Sequence, residues 1–74
     1  MDLKEFISKF AEQIDVEDAS SLCGETNFRG LDEWSSLSVM ILIAFFDEEF
    51  DKQIGDSDIK KCNTIDDLYI LATA

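Results

Sequence analysis

The sequence predicts an all-α fold, a small bundle of four helices with one long connection between the first two. Three observations carry that prediction. The chain of 74 residues has no proline and only three glycines, Gly24, Gly30 and Gly55, so few positions interrupt a helix. Apolar residues recur at steps of three and four in separate stretches, the pattern of amphipathic helices. Finally, 46% of the residues are apolar, among them six Phe, one Trp and one Tyr, enough to condense a core against a net charge of −11.

The first stripe is Leu3, Phe6, Ile7, Phe10, Ala11 and Ile14, which predicts a helix over residues 3–14. Asp2 stands where an N-cap belongs, and Glu5 three residues later completes a capping-box-like pair. From Asp15 to Ser35 the periodicity disappears. Ser20, Ser21, Gly24, Thr26, Asn27 and Gly30 alternate with isolated apolar anchors at Val16, Leu22, Phe28, Leu31 and Trp34. Connections beyond about 12–15 residues are uncommon in compact domains and usually functional or disordered. The anchors predict an ordered loop pinned onto the core, with room for a short helical turn.

Residues Ser36–Asp51 are predicted as the second helix. Val39–Phe46 alone would suit a buried strand, but the pattern runs on through Asp47-Glu48-Glu49-Phe50 without a breaker, too long for a typical strand. Ser35 and Ser36 supply N-cap chemistry. Val39, Leu42, Ile43, Phe46 and Phe50 share one face, and Leu37, Met40, Ile41, Ala44 and Glu48 turn to the other. Gly55 is expected to end the exit from this helix. Asp56-Ser57-Asp58 then caps a short third helix over Ile59-Lys60-Lys61. Thr64 with Asp67 opens the fourth, whose stripe is Ile65, Leu68, Tyr69 and Ala72. Leu42, Ile43, Phe46, Phe50, Ile59, Leu68 and Leu71 are expected in the core. Residues 1–74 read as one domain without internal repeats.

Composition excludes several functions. A chain of this size buries only about 60% of its unfolded surface, which leaves little material for a deep catalytic cleft. There are 17 acidic residues, six basic ones and no histidine. Nucleic-acid affinity depends on Lys and Arg neutralising phosphates, and anionic membranes repel the same surface; a basic protein partner is favoured instead. Without histidine the common triads and transition-metal sites are missing. Cys23 and Cys62 form no CxxC pattern and are read as two reduced thiols, one disulfide being the alternative. Asp47, Glu49, Asp51 and Asp58 imitate positions 1, 3, 5 and 12 of a calcium loop, but Lys52 occupies the glycine position and Asp58 replaces the bidentate Glu. Met1–Glu5 lack the basic start and apolar run of a secretory signal. The longest apolar run, Val39–Phe46, is far short of the ~20 residues that span a bilayer. A soluble, cytoplasmic monomer that is not an enzyme is the expectation.

The junction Asp32-Glu33-Trp34-Ser35-Ser36-Leu37 remains. A serine opening a helix is ordinarily a cap worth about 1 kcal/mol, but the same place suits a phosphate ester, because free N–H groups and the helix dipole stabilise anions there. Trp34-Ser35-Ser36-Leu37, followed by an apolar helix ending Phe46-Asp47-Glu48-Glu49-Phe50 and by Thr64-Ile65-Asp66-Asp67-Leu68, resembles the acyl carrier protein family. That family's motif is Asp-Ser-Leu opening the second helix, and the helix often ends Glu-Glu-Phe. The resemblance implies a four-helix carrier in which Ser36 receives 4′-phosphopantetheine from coenzyme A through a phosphopantetheinyl transferase. The arm tethers an acyl or aminoacyl thioester. It also implies that Leu37, Met40, Ile41, Ala44, Asp47 and Glu48 dock partner enzymes with basic surfaces. Ser35 departs from the family's Asp, and Asp32 and Glu33 are the nearest acids to stand in for it. Val39, Ile41 and Phe45 are apolar where carriers of central fatty-acid synthesis tend to carry charge, which points to a dedicated pathway. The competing reading is an acidic helical interaction module without a prosthetic group.

Overall fold

Four α-helices form the computed structural model, which describes residues 1–74: α1 (Leu3–Gln13), α2 (Ser36–Phe50), α3 (Asp56–Lys60) and α4 (Ile65–Thr73). The fold is mostly helical and has no strand; one isolated backbone bridge joins Asn27 to Thr64. α1 packs on α2 and α4, and α2 also packs on α3 and α4. None of the helices is long and apolar enough to cross a membrane.

α1 begins as its sequence predicts. The Asp2 carboxylate accepts the Glu5 N–H at 2.8 Å, although Glu5 makes no reciprocal bond. Both long helices stop at an aspartate in the left-handed region, Asp15 with φ 60° and Asp51 with φ 51°. Asp51 ends α2, and the Lys52 N–H then reaches back to the Phe46 carbonyl at 3.2 Å. The expectation that Gly55 makes this exit is therefore corrected. Gly55 is extended (φ −117°) and caps α3, its N–H donating to Asp58 Oδ2 at 2.9 Å. Asp56 and Ser57 lie inside α3 instead of capping it. A short polar side chain tolerates the left-handed conformation well enough to stop a helix without glycine.

The core is centred on Phe6, fully buried. Its ring meets Phe45, Phe46, Phe50 and Tyr69 at centroid distances of 6.0, 6.2, 5.8 and 5.4 Å, so one aromatic side chain of α1 ties α2 to α4 in tilted and edge contacts. Leu42, Phe46, Ile59 and Leu68 are buried as expected, while Ile43, Phe50 and Leu71 are half-buried at the margin. Two further positions of α2 are buried. Phe45, apolar where the resemblance leads one to expect charge, is buried against Phe6, because α1 covers a second side of α2. Ser38 is buried too. A helix apolar almost all round can bury either side, and only its neighbours decide which.

The segment between α1 and α2 carries two single-turn 3-10 helices, Ala19–Ser21 and Phe28–Gly30. Asp18 and Asn27 cap them through side-chain oxygens. Leu22 and Phe28 are buried and Val16, Leu31 and Trp34 half-buried. Phe28 is the main pin, wedged between Phe10 at 6.3 Å and Trp34 at 4.7 Å. Its neighbour Arg29 donates through Nη2 to the carbonyls of Ile59, at 3.0 Å, and Lys60, which satisfies carbonyls left open at the end of α3. Further back, Gly24 lies so close to Asp66 that a Cβ there would collide with the Asp66 carboxylate.

Candidate functional site

The start of α2 is held from two directions. Before it, Trp34 leans edge-on against the buried Phe28 ring, and the Trp34 N–H bonds the Leu31 carbonyl at 3.0 Å. Within it, the buried Ser38 hydroxyl accepts the Ser35 N–H at 3.1 Å and lies 3.5 Å from the Ser35 hydroxyl. The Ser38 N–H in turn reaches the Ser35 carbonyl at 3.0 Å. Ser35 is thus the N-cap and Ser36 the first helical residue. Ser36 is exposed.

Two N–H groups at this terminus, those of Ser36 and Leu37, have no acceptor in the protein. A helix N-terminus carries roughly half a positive charge, and here no acidic side chain lies in the first turn. The contrast with the other helices is consistent: Glu5 sits in the first turn of α1, Asp56 and Asp58 in that of α3, and Asp66 and Asp67 in that of α4. Asp32 and Glu33 are exposed and make no hydrogen bond to the α2 turn. This terminus can accept a phosphodiester on Ser36 without repulsion from its own first turn.

Away from Ser36, α2 shows an apolar outer face. Leu37 is 61% and Met40 67% exposed, and Ala44, Asp47 and Glu48 are exposed as well. Ile41, expected outward with them, is half-buried. Met40, Ile43, Ala44 and Asp47 form one wall of a groove of about 400 Å³, and Gln53 and Ile54, in the segment leading to α3, form the other. This second wall has no signal in the sequence, since Gln53 and Ile54 belong to no periodic stretch. A second cleft of about 530 Å³ lies between α1 and the first 3-10 turn, where Leu3, Ile7 and Leu22 make its apolar lining and Lys4 is its one charged residue. No residue of α2 lines it.

The thiols do not form a disulfide: Cys23 is exposed and Cys62 buried. Burial pushes the Cys62 thiol above its usual range, reinforced by the nearby Asp67 and Asp58 carboxylates against an opposing pull from Arg29. Asp47 and Glu49 belong to α2 and Asp58 to α3, and no three acidic or cysteine side chains converge to hold a metal ion. No family model matches this chain, and no curated protein or solved structure matches it either.

Proposed function

We propose that this protein is a carrier of the acyl carrier protein type, with Ser36 as the attachment point of a 4′-phosphopantetheine arm. The observation that carries the reading is the start of α2: an exposed serine hydroxyl beside two unpaired N–H groups, in the one α-helix whose first turn holds no acid. On a chain of net charge −11, an added phosphate here meets no acid in the first turn of its own helix. The resemblance of Trp34-Ser35-Ser36-Leu37 to the family's motif supports the same residue.

In the attachment reaction the Ser36 oxygen bonds to the phosphorus that bears the pantetheine group of coenzyme A. The bond from that phosphorus to the bridging oxygen breaks, adenosine 3′,5′-bisphosphate leaves, and the serine proton passes to a base of the transferase. Once bound, the group supplies a thiol on a flexible tether. The residues of this chain hold its phosphate and present the exposed side chains of Leu37, Met40 and Ala44, with Asp47 and Glu48, to partner enzymes carrying basic, apolar docking surfaces. Catalysis belongs to those partners. The inference of a dedicated pathway loses part of its support, because the buried Phe45 is not available to a partner.

The test is intact mass after incubation with coenzyme A and a broad-specificity phosphopantetheinyl transferase. A gain of one phosphopantetheine, lost in Ser36→Ala, supports the carrier. No gain with several transferases favours the acidic interaction module.

A further inference from the structure

We propose that the cleft between α1 and the first 3-10 turn binds a free linear aliphatic carboxylate, with Lys4 on its head group. No residue of α2 lines this cleft, so the inference does not rest on the carrier reading of Ser36. The cleft is the largest concavity of the molecule, about 530 Å³, a size that suits a small molecule. Its apolar lining continues the core outward. Leu22 is buried, and Leu3, Ile7 and Ala19 are half-buried, with Ile7 and Ala19 packed against the core cluster. An aliphatic chain laid there covers the apolar surface that these side chains still show to water.

The charge of the lining runs against the composition of the chain. With 17 acidic residues and six basic ones, an acid in a groove needs no explanation. The groove at the end of α1 holds Glu12, Asp15 and Glu17, and the groove beside α2 holds Asp47. The cleft beside the start of α1 holds Lys4 and no acid. Lys4 is also free. Lys9 pairs with Glu49 at 3.3 Å and Lys60 with Asp56 at 3.1 Å, Lys52 reaches the Ala74 carbonyl at 2.9 Å, and Arg29 is spent on the carbonyls of Ile59 and Lys60. Only Lys4 and Lys61 join no such contact, and Lys61 lines no cleft. Within its own helix Lys4 finds no partner either. The residues three and four positions on are Ile7 and Ser8, and a cation in the first turn stands at the positive end of the helix dipole. Neither an ion pair nor helix stability accounts for this lysine, whereas an anion seated on Ile7 and Ser8 does. One ammonium matches one carboxylate; a phosphate dianion brings a second charge that no group of the cleft meets.

The experiment titrates the full, unmodified chain with octanoate and with octylammonium near pH 7 and follows ¹H–¹⁵N spectra. A net charge of −11 draws cations in and holds anions off, so an amphiphile bound for its chain alone favours the ammonium. Octanoate is expected to shift the amides of Ile7, Ser8, Ser20 and Cys23 at lower concentration than octylammonium does. Lys4→Gln should weaken octanoate about two- to fivefold, the range of an exposed ion pair, without weakening octylammonium. Ser8→Glu, which gives Lys4 a partner one turn away, should weaken octanoate at least as much, and Lys61→Gln should leave it unchanged. A second readout is alkylation: Cys23 is exposed in the cleft and Cys62 is buried, so octanoate should slow maleimide labelling of Cys23. Octylammonium binding as well as octanoate, an octanoate pattern that survives Lys4→Gln, shifts confined to Met40, Ala44 and Ile54, or no shifts at all each overturn the inference. Each of those results leaves the carrier reading of Ser36 standing, since that reading is tested by mass gain.

Discussion

The starts of α2 and α4 use the same capping geometry for opposite ends. At α4 every early N–H group is taken. Ile65 N donates to the Thr26 carbonyl at 3.1 Å and Asp66 N to the Gly24 carbonyl at 2.8 Å; Asp67 N reaches Thr64 Oγ1 at 3.2 Å and Leu68 N the Thr64 carbonyl at 3.3 Å. Asp67 closes the box from the other side, accepting the N–H groups of Asn63 at 2.9 Å and Thr64 at 3.1 Å. Those two backbone bonds hold its carboxyl below the usual aspartate range. At α2 the box is made of two serine hydroxyls, the first turn has no charge, and the N–H groups of Ser36 and Leu37 stay open. The segment that precedes α2 spends its carbonyls on α4. A sealed terminus is a structural joint; an open one is a place for an anion.

The largest expected effect distinguishes the two termini by chemistry. Ser36→Ala should abolish the coenzyme A-dependent mass gain while leaving the far-ultraviolet circular dichroism unchanged. A retained gain would mean that the open terminus is not the attachment point. Next comes a comparison of the first turns by stability. Ile65 is fully buried and Leu37 is 61% exposed. Ile65→Ala should therefore cost about 2–5 kcal/mol in urea unfolding, and Leu37→Ala less than about 0.5 kcal/mol. Similar costs at the two positions would erase the distinction.

Smaller effects refine it. Thr64→Ala should cost about 1 kcal/mol by removing the cap hydroxyl. The same terminus should also control part of the acid response. Because the folded-state pKa of Asp67 is depressed, its contribution is present above the unfolded value of about 3.9 and disappears as pH falls through the lower folded value. Stability measured from neutral pH down through this window should fall less steeply in Asp67→Asn than in the wild type. The smallest change is Ser35→Asp, which places a charge at the open terminus. It should stabilise the fold by about 0.3–1 kcal/mol at low ionic strength and by less in salt; an unchanged midpoint would show that the α2 dipole is already compensated.

The helices were legible because each repeats a simple instruction. Leu3 to Ile14 and Ile65 to Ala72 alternate apolar and polar residues at helical steps, and Asp2 and Thr64 mark their starts. α2 was legible as a helix but not in its orientation. With apolar residues all round between Val39 and Phe46, the pattern alone did not distinguish the buried Phe45 from the exposed Met40. Its stop was misread for a related reason: Gly55 is the conspicuous breaker, yet the left-handed turn is made by Asp51, a residue that in this sequence is only one acid among seventeen. The candidate site divides in the same way. Ser36 and the exposed Leu37, Met40 and Ala44 were readable from local order, whereas the groove wall of Gln53 and Ile54 was not, because it exists only where the return segment passes α2.

Local sequence therefore determined the all-α class, the starts of α1, α2 and α4 and the serine that opens α2, since backbone hydrogen bonding and side-chain periodicity act within a few residues. Tertiary structure decided which sides of α2 are covered, that the segment before α2 satisfies α4 with its carbonyls, and that Asp47 and Glu48 stand in different surroundings. Those are contacts between residues far apart in the chain. They depend on how whole helices share one small core around Phe6, and no short stretch of sequence contains that information.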